Sequence, residues 1–113
     1  METPSVFTKI INREIPADII YETDSVIIVK TIAPKARIHL LAIPKHPYRT
    51  MTEMSEQGSP EELWELFQAI NHVVRETGIA ESGYRLTTNI GEDGRQEVPH
   101  LHFHITGGEK LPH

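Results

Sequence analysis

The chain has 113 residues, no cysteine and a formal net charge of −5, so we expect one domain over residues 1–113, without disulfides, cysteine-ligated zinc or a thiol nucleophile. The acidic balance argues against a broad nucleic-acid surface, and no apolar run is long enough to span a membrane. The first ten residues carry no secretory-signal pattern, so we expect a cytoplasmic protein with neither nucleic acid nor membrane as partner.

Apolar and β-branched runs predict the elements of the first half. Apolar side chains at helical spacing predict a short helix over 7–11. Two β-branched runs, 19–23 and 25–30, flank a polar break and predict a hairpin. The run 37–44 is nearly all apolar, so we expect a strand buried on both faces. His39 lies within it, and a single buried histidine is ordinarily a hydrogen-bonded core residue.

The second half of the chain begins with residues typical of a helix start. Ser59, Pro60 and Glu62 stand where an N-cap, a first helical residue and the partner of a capping box are expected. Apolar residues then repeat at three-and-four spacing until Gly78, which predicts one long helix. A fourth strand is predicted over 83–89, followed by a glycine-containing turn.

These elements predict an α+β fold. We expect a five-stranded, mostly antiparallel sheet with one long and one short helix, because the connections are short except for the one that holds the long helix. The connection around Met51 predicts only a helical turn. The helices are expected on one face of the sheet.

The candidate catalytic residues lie in the fifth predicted strand. The segment V-P-H-L-H-F-H-I-T-G-G (98–108) places His100, His102 and His104 at every second position. Successive side chains of a strand point to opposite faces, so three imidazoles share one surface and three apolar groups share the other. We expect the apolar side to pack and the histidines to lie on the other face of the sheet or at its edge.

Three interpretations of this pattern remain open from the residues alone. A histidine metal site is possible, but the outer two of three alternating ligands lie about 13 Å apart along a straight strand, while zinc needs each nitrogen at about 2 Å. A nucleophilic histidine oriented by the others is favoured, because a neutral imidazole attacks phosphorus or an acyl carbon without a strong base. Three surface histidines without a role are the least favoured.

The segment H-L-H-F-H-I-T (100–106) resembles the signature of the histidine triad family of nucleotide hydrolases and transferases. Three further segments are similar to the family in the same order along the chain: F-T-K-I-I-N-R-E-I-P-A-D-I-I-Y-E (7–22), I-H-L-L-A-I-P-K-H (38–46) and G-Y-R-L-T-T-N-I-G-E-D-G (83–94). Together they resemble the Hint branch, the histidine triad nucleotide-binding proteins.

The resemblance implies a homodimer whose two five-stranded sheets join into one. It implies hydrolysis at the α-phosphorus of purine nucleoside phosphoramidates of the AMP or GMP type, without metal or cofactor. His102 would be the nucleophile, His100 and His104 would orient it and hold the phosphate, and His39 would be the fourth histidine. The alternatives are a dinucleoside polyphosphate hydrolase, or a nucleotide-binding or partner-binding module with little turnover.

The resemblance also implies the binding residues. Asn89 and Gln96 match positions that contact the phosphate and the leaving group, and Glu97 would contribute its backbone N–H. The positions that match the lining of the base pocket are Val6, Phe7, Ile10, Val29, Ile32 and Leu41. Thr31 stands where the family usually has an acidic residue on the ribose, and Arg95 replaces a common glycine. The sequence ends at His113, before the longer tail that shapes the leaving-group side in close relatives.

Overall fold

The computed structural model describes residues 5–113, so residues 1–4 of the predicted domain lie outside the described part. The elements in chain order are α1 (Val6–Ile11), β1 (Ile19–Glu22), β2 (Val26–Lys30), β3 (Ile38–Pro44), α2 (Met51–Gln57), α3 (Pro60–Glu76), α4 (Ile79–Ser82), β4 (Tyr84–Thr87) and β5 (Phe103–Gly107). The five strands form one sheet in the order β1-β2-β3-β5-β4, with every neighbouring pair antiparallel. Across residues 5–113, no helix combines the length and apolar character that a membrane crossing needs.

Helix α3 begins as the sequence predicts. The Ser59 hydroxyl accepts a hydrogen bond from the Glu62 backbone N–H at 3.1 Å, and the Glu62 carboxylate accepts one from the Ser59 backbone N–H at 3.0 Å. This capping box satisfies two N–H groups that a helix start leaves without partners. Past the end of the helix, Gly78 adopts φ +82°, a left-handed conformation that glycine enters without a steric cost. The stripe that α3 buries consists of Leu66, Ala69, Ile70, Val73 and Val74.

One face of the sheet packs against α3. The strand residues in this core are Val26, Ile28, Leu40, Ala42, Phe103 and Ile105. Leu101 is fully buried in the same core. The apolar set that alternates with the histidines therefore packs as predicted, and the same alternation turns the histidines away from α3.

The other face carries both a second apolar cluster and the histidines. Phe7 of α1 packs there on Val29 and Leu41, together with Ile27 and Ile43. Since His104 lies opposite Leu41 in the β3–β5 register, it points to this same face. The expectation that the helices share one face is therefore wrong for α1. Its apolar stripe covers these apolar strand residues, which would otherwise be exposed to water.

The described chain contains four helices, so the expected count of one long and one short helix is wrong. Helix α2 forms because Thr50 caps it, accepting from the Glu53 backbone N–H at 3.0 Å, and because Met54 is buried. Helix α4 is a single turn held by buried Ile79. The sequence predicted only a helical turn where α2 forms, and the four residues of α4 are too few to show a hydrophobic repeat.

Strand β5 begins at Phe103, later than the histidine pattern suggests. Pro99 has no backbone N–H to donate, and the Leu101 backbone N–H donates to the Tyr48 carbonyl at 2.7 Å instead of to a strand. His100 and His102 consequently precede the ladder, and only His104 of the three lies within it. The histidine segment is tied on one side to the connection between β3 and α2.

Candidate active site

A hydrogen bond between two histidines on neighbouring strands forms the centre of the site. His39 on β3 and His104 on β5 join through Nε2 and Nδ1 at 2.9 Å. The Lys35 backbone N–H donates to His39 Nδ1 at 3.0 Å, so His39 Nδ1 is an acceptor and the ring proton is on Nε2. His39 therefore donates to His104, whose own proton is left on Nε2. His39 is thus a buried, hydrogen-bonded residue, and one of its two partners is a second histidine.

His102 has the opposite tautomer. Its Nδ1 lies 2.8 Å from the His100 carbonyl oxygen, which can only accept, so Nδ1 carries the proton. In the neutral ring the lone pair is then on Nε2. The ring packs edge-on against Phe7, with centroids 4.7 Å apart, and lies 5.2 Å from the His104 ring. The site therefore places an acceptor nitrogen on His102 beside the ring of His104, which carries a donor nitrogen.

The His100 side chain lies in the interior. Its Nε2–H donates to the Pro44 carbonyl at 2.7 Å, and its Nδ1 lies 3.3 Å from the hydroxyls of Ser5 and Thr8. Only 1% of the residue is exposed. His100 thus fastens the start of α1 to the end of β3, and its contact with His102 is made through its backbone carbonyl. The sequence pattern gave no indication of the two hydroxyls, because they lie more than 90 positions away along the chain.

Burial lowers the pKa of the histidines in this network. For His104 the pKa falls to about 4, first through desolvation, then through the charges of His102, His39 and Lys35, with Glu97 opposing. Desolvation, with Lys35, also lowers the pKa of His39. Desolvation lowers that of His100 too, against the opposing hydrogen bond to Pro44. These rings are therefore neutral at pH 7, as the tautomer assignments require.

The turn before the histidines is closed by two side-chain amides. The Gln96 amide accepts from the Gly91 N–H at 2.9 Å and donates to the Arg49 carbonyl at 2.7 Å and the Val98 carbonyl at 3.0 Å. The Asn89 amide nitrogen donates to the Gly94 carbonyl at 2.9 Å. The structure therefore uses the Gln96 side chain to hold the turn, while Asn89 also lines a cavity beside His104.

Arg95 and Glu97, two residues at which the sequence departs from the pattern of the family it resembles, lie at this turn. Arg95 adopts φ +61°, a left-handed conformation, which is a physical reason for glycine to be favoured at this position. Glu97 is exposed, and its charge acts on His104. The acidic side chain therefore lies near the site without being buried in it.

The residues predicted to line a base pocket separate into two groups. Phe7, Val29 and Leu41 are buried, with Ile10 packed against them. By contrast, Val6 is exposed and Ile32 is fully exposed at 102%. The Thr31 hydroxyl accepts from the Ala33 N–H at 3.3 Å.

A cavity of about 380 Å³ opens between α1 and β1. Of the predicted base-pocket residues, Ile10 lines it, and the others around it are Arg13, Glu14, Ile15, Pro16, Ala17 and Ile19. Ile15 and Ile19 were not among the predicted site residues. The sequence feature that could have indicated them is the position of these two apolar residues shortly after the first predicted helix.

A second cavity, of about 260 Å³, lies beside His39 and His104. The other residues that line it are Lys35, Arg85, Thr87, Asn89, Thr106, Leu111 and Pro112. Sequence reasoning missed all of these except Asn89. Strand register could have found some of them, because Thr87 pairs with His104, and Thr106 pairs with both His39 and Arg85.

The ring nitrogens are arranged for hydrogen bonding. No group of three or more histidine, aspartate or glutamate side chains between residues 5 and 113 is placed to hold a metal ion. Both ring nitrogens of His39 and Nδ1 of His104 are already hydrogen-bonded, to each other and to the Lys35 N–H. The arrangement presents a nucleophilic nitrogen and a neighbouring N–H donor to a ligand.

The lowered histidine pKa values predict a pH-dependent stability. A ring whose pKa is lower in the folded than in the unfolded chain contributes stability that is complete above about pH 6.5 and is lost as the pH falls toward 4. We expect the free energy of unfolding, measured by urea denaturation, to fall from pH 7 to 5. His104→Gln should make this pH dependence shallower, by an amount corresponding to the uptake of up to about one proton on unfolding.

His72→Gln, on the exposed surface of α3, is the matched control and should leave the slope unchanged. Measurements stop at pH 5 because Glu22 and Glu62, whose pKa values are lowered by their hydrogen bonds, add their own loss of stability at lower pH. An unchanged slope in His104→Gln would contradict the assignment of a neutral, half-buried His104.

Comparison with known proteins agrees with this geometry. The HIT domain family model matches residues 12–111. An Escherichia coli protein named purine nucleoside phosphoramidase is 39% identical over 111 residues, covering 98% of this chain and 92% of that protein. A HIT-like protein of Rickettsia prowazekii is 43% identical over 107 residues, covering 95% and 89%. The structure of a HIT family hydrolase from Clostridium thermocellum is similar with a TM-score of 0.90 and 42% identity, covering 99% of this chain and 96% of that one. The chain therefore belongs to the HIT family.

Proposed function

We propose that this chain hydrolyses purine nucleoside phosphoramidates of the AMP or GMP type at the α-phosphorus, with His102 as the nucleophile. The observation that carries the proposal is the His102 Nδ1 to His100 carbonyl hydrogen bond of 2.8 Å, which leaves the Nε2 lone pair free for attack. The similarity to the E. coli purine nucleoside phosphoramidase supports the substrate class.

The first step transfers the nucleotide to the enzyme. His102 Nε2 attacks the α-phosphorus, the phosphorus–nitrogen bond to the leaving amine breaks, and the amine takes up a proton from solvent. His102 keeps its Nδ1 proton, so the phosphorylated ring is cationic, and the His100 carbonyl oxygen stabilises that charge. His104 Nε2–H donates to a non-bridging phosphate oxygen, whose negative charge grows as the nucleophile approaches.

The second step restores the enzyme. Water attacks the phosphorus of the nucleotidyl-histidine, the bond to His102 Nε2 breaks, and the water loses a proton to solvent. The products are a nucleoside monophosphate and a neutral His102. The relay from the Lys35 N–H through His39 to His104 keeps the donor proton of His104 on Nε2 throughout.

The base is proposed to bind on the α1 side of the histidines. Val6 and Ile32 are exposed there, and Ile10 lines the larger cavity, so apolar side chains are available to a purine. The Asn89 side chain and the Glu97 backbone N–H are proposed to contact the phosphate region. The Gln96 side chain contributes by holding the turn, since its amide is already bonded on both sides.

Replacing the nucleophile tests this function. His102→Ala is expected to reduce hydrolysis of an adenosine phosphoramidate by about a thousandfold or more, because no other side chain at the site takes over the bond to phosphorus. His72→Ala, on the far side of the molecule, is the control and should retain full activity. Near-normal turnover in His102→Ala would remove the proposal, and faster hydrolysis of a dinucleoside polyphosphate in a parallel assay would favour that alternative substrate.

A homodimer is proposed through β4. Among the described strands, β4 pairs with β5 alone, so its outer backbone groups form a free sheet edge. Tyr84 and Leu86 on this strand are exposed, as are Trp64 (67%) and Phe67 of α3. Leu86 lies opposite Ile105, whose side chain packs on the α3 side, so these four side chains flank one edge. An uncovered apolar edge of this kind fits a second copy of the chain.

A charge placed on this edge tests the dimer. Leu86→Lys is expected to convert a wild-type dimer to a monomer, measured by size-exclusion chromatography with light scattering, because lysine on an edge strand opposes pairing. Ile20→Lys places the same charge at an exposed position on β1, the opposite edge strand, and should remain dimeric. A monomeric wild type, or a dimeric Leu86→Lys, would contradict the proposal.

A further inference from the structure

The backbone of His102 lies just outside the sheet. The ladder of β3 with β5 ends at the pair Ala42 and Phe103, and the ladder of β4 with β5 ends at the pair Thr87 and His104. His102 comes before the first paired residue of β5, so its backbone groups need other partners. The hydrogen bonds that supply these partners decide where the proposed nucleophile points.

One of these hydrogen bonds orients the peptide group between His100 and Leu101. The Leu101 N–H donates to the Tyr48 carbonyl at 2.7 Å, and the peptide is trans. In a planar trans peptide the N–H and the C=O point in opposite directions, so the His100 carbonyl points away from Tyr48. Its oxygen accepts the Nδ1–H of His102 at 2.8 Å. The acceptor that sets the His102 tautomer is therefore held through backbone groups.

A side chain holds the peptide group that follows His102. The Thr88 hydroxyl donates to the His102 carbonyl at 2.8 Å. Thr88 is half-buried and directly follows Thr87, the last paired residue of β4. Its hydroxyl thus supplies a donor at the point where the ladder between β4 and β5 stops. One hydrogen bond between neutral groups favours the held arrangement by a factor of about two to ten.

Holding this carbonyl also restricts the ring. The carbonyl and the ring of His102 branch from the same α-carbon, and the rotamer that a side chain adopts depends on the backbone angles. The hydrogen bond from Nδ1 to the carbonyl two residues earlier is possible only over a narrow range of those angles. The direction of Nε2 depends on it, and a misplacement of about 1 Å at a reacting group can lower a rate about a hundredfold.

We propose that Thr88 is a positioning residue of the reaction. Its hydroxyl holds the His102 backbone so that Nδ1–H stays on the His100 carbonyl and the Nε2 lone pair stays directed at phosphorus. The inference rests on the proposed function and adds a residue that acts through the nucleophile. Thr88 keeps its proton in both steps and does not touch the reacting atoms.

A series of substitutions at this position tests the inference. Thr88→Ser keeps the hydroxyl, Thr88→Cys has a weaker donor, and Thr88→Val has the shape of threonine without a donor. The measured quantity is the saturating rate of phosphorus–nitrogen cleavage in a single turnover of an adenosine phosphoramidate. We expect Thr88→Ser within about twofold of the wild-type rate, Thr88→Val about fivefold lower, and Thr88→Cys between them. The enzyme concentration that gives half of the saturating rate should change by less than about twofold, because the hydroxyl directs the nucleophile and does not bind substrate.

Thr77 provides the matched control. Its hydroxyl donates to the Val73 carbonyl at 2.7 Å at the end of α3, which packs on the other face of the sheet. Both Thr77→Val and Thr88→Val should lower the free energy of unfolding in urea, and only Thr88→Val should lower the rate. An equal loss of rate in Thr77→Val would overturn the inference, because lower stability would then explain it. If Thr88→Val does not fold, a slower rate for Thr88→Cys than for Thr88→Ser supports the inference, and equal rates overturn it.

The ¹⁵N NMR spectrum of the free protein separates this inference from the proposed function. In Thr88→Val the His102 ring should show a larger share of the Nε2–H tautomer than in wild type, while Thr88→Ser and Thr77→Val should not. If wild type and Thr88→Val cleave the substrate equally fast, the function stands and the inference fails. If none of the proteins cleaves it, the function fails, and the tautomer decides whether Thr88 positions His102. A lower rate in Thr88→Val with an unchanged tautomer would also overturn the inference, because Thr88 would then act on another group.

Discussion

The hydrogen bond from His39 Nε2–H to His104 Nδ1 determines how the rest of the site works. It crosses from β3 to β5 at 2.9 Å and fixes the proton position on both rings, because the Lys35 N–H already occupies His39 Nδ1. Burial keeps both rings neutral, and charging either one would place two donors face to face. The donor nitrogen of His104 is fixed by this hydrogen bond, and the acceptor nitrogen of His102 beside it is fixed separately by the His100 carbonyl.

The three histidines of the sequence motif therefore have three different environments. His104 lies in a strand and is hydrogen-bonded to His39, and His102 precedes the strand with its Nε2 lone pair free. His100 is interior, and its side chain fastens α1 to β3. The three regularly spaced histidines therefore have three different roles: His102 is the proposed nucleophile, His104 a hydrogen-bond donor and His100 a structural residue. The His100 carbonyl sets the tautomer of His102.

Much of this could be predicted from the sequence, and the part that could not has identifiable causes. The capping box at Ser59 and the packing of Leu101, Phe103 and Ile105 follow from local spacing, which depends on neighbours in the chain. The placement of α1 on the histidine face, the short helices α2 and α4 and the late start of β5 depend on tertiary contacts. The cavity residue Arg85 is brought beside the histidines by the pairing of β4 with β5. Lys35 lies in the connection between β2 and β3 and is brought there by its backbone hydrogen bond to His39.

The central claim is the position of the ring protons, and ¹⁵N NMR of histidine-labelled protein at pH 7 tests it most directly. The expected result is the Nδ1–H tautomer for His102 and the Nε2–H tautomer for His39, His100 and His104, with the last three rings neutral. Assignment by single histidine substitutions, with His46 and His72 as exposed references, identifies each signal. A His102 ring protonated on Nε2, or a His104 ring protonated on Nδ1, would contradict the account.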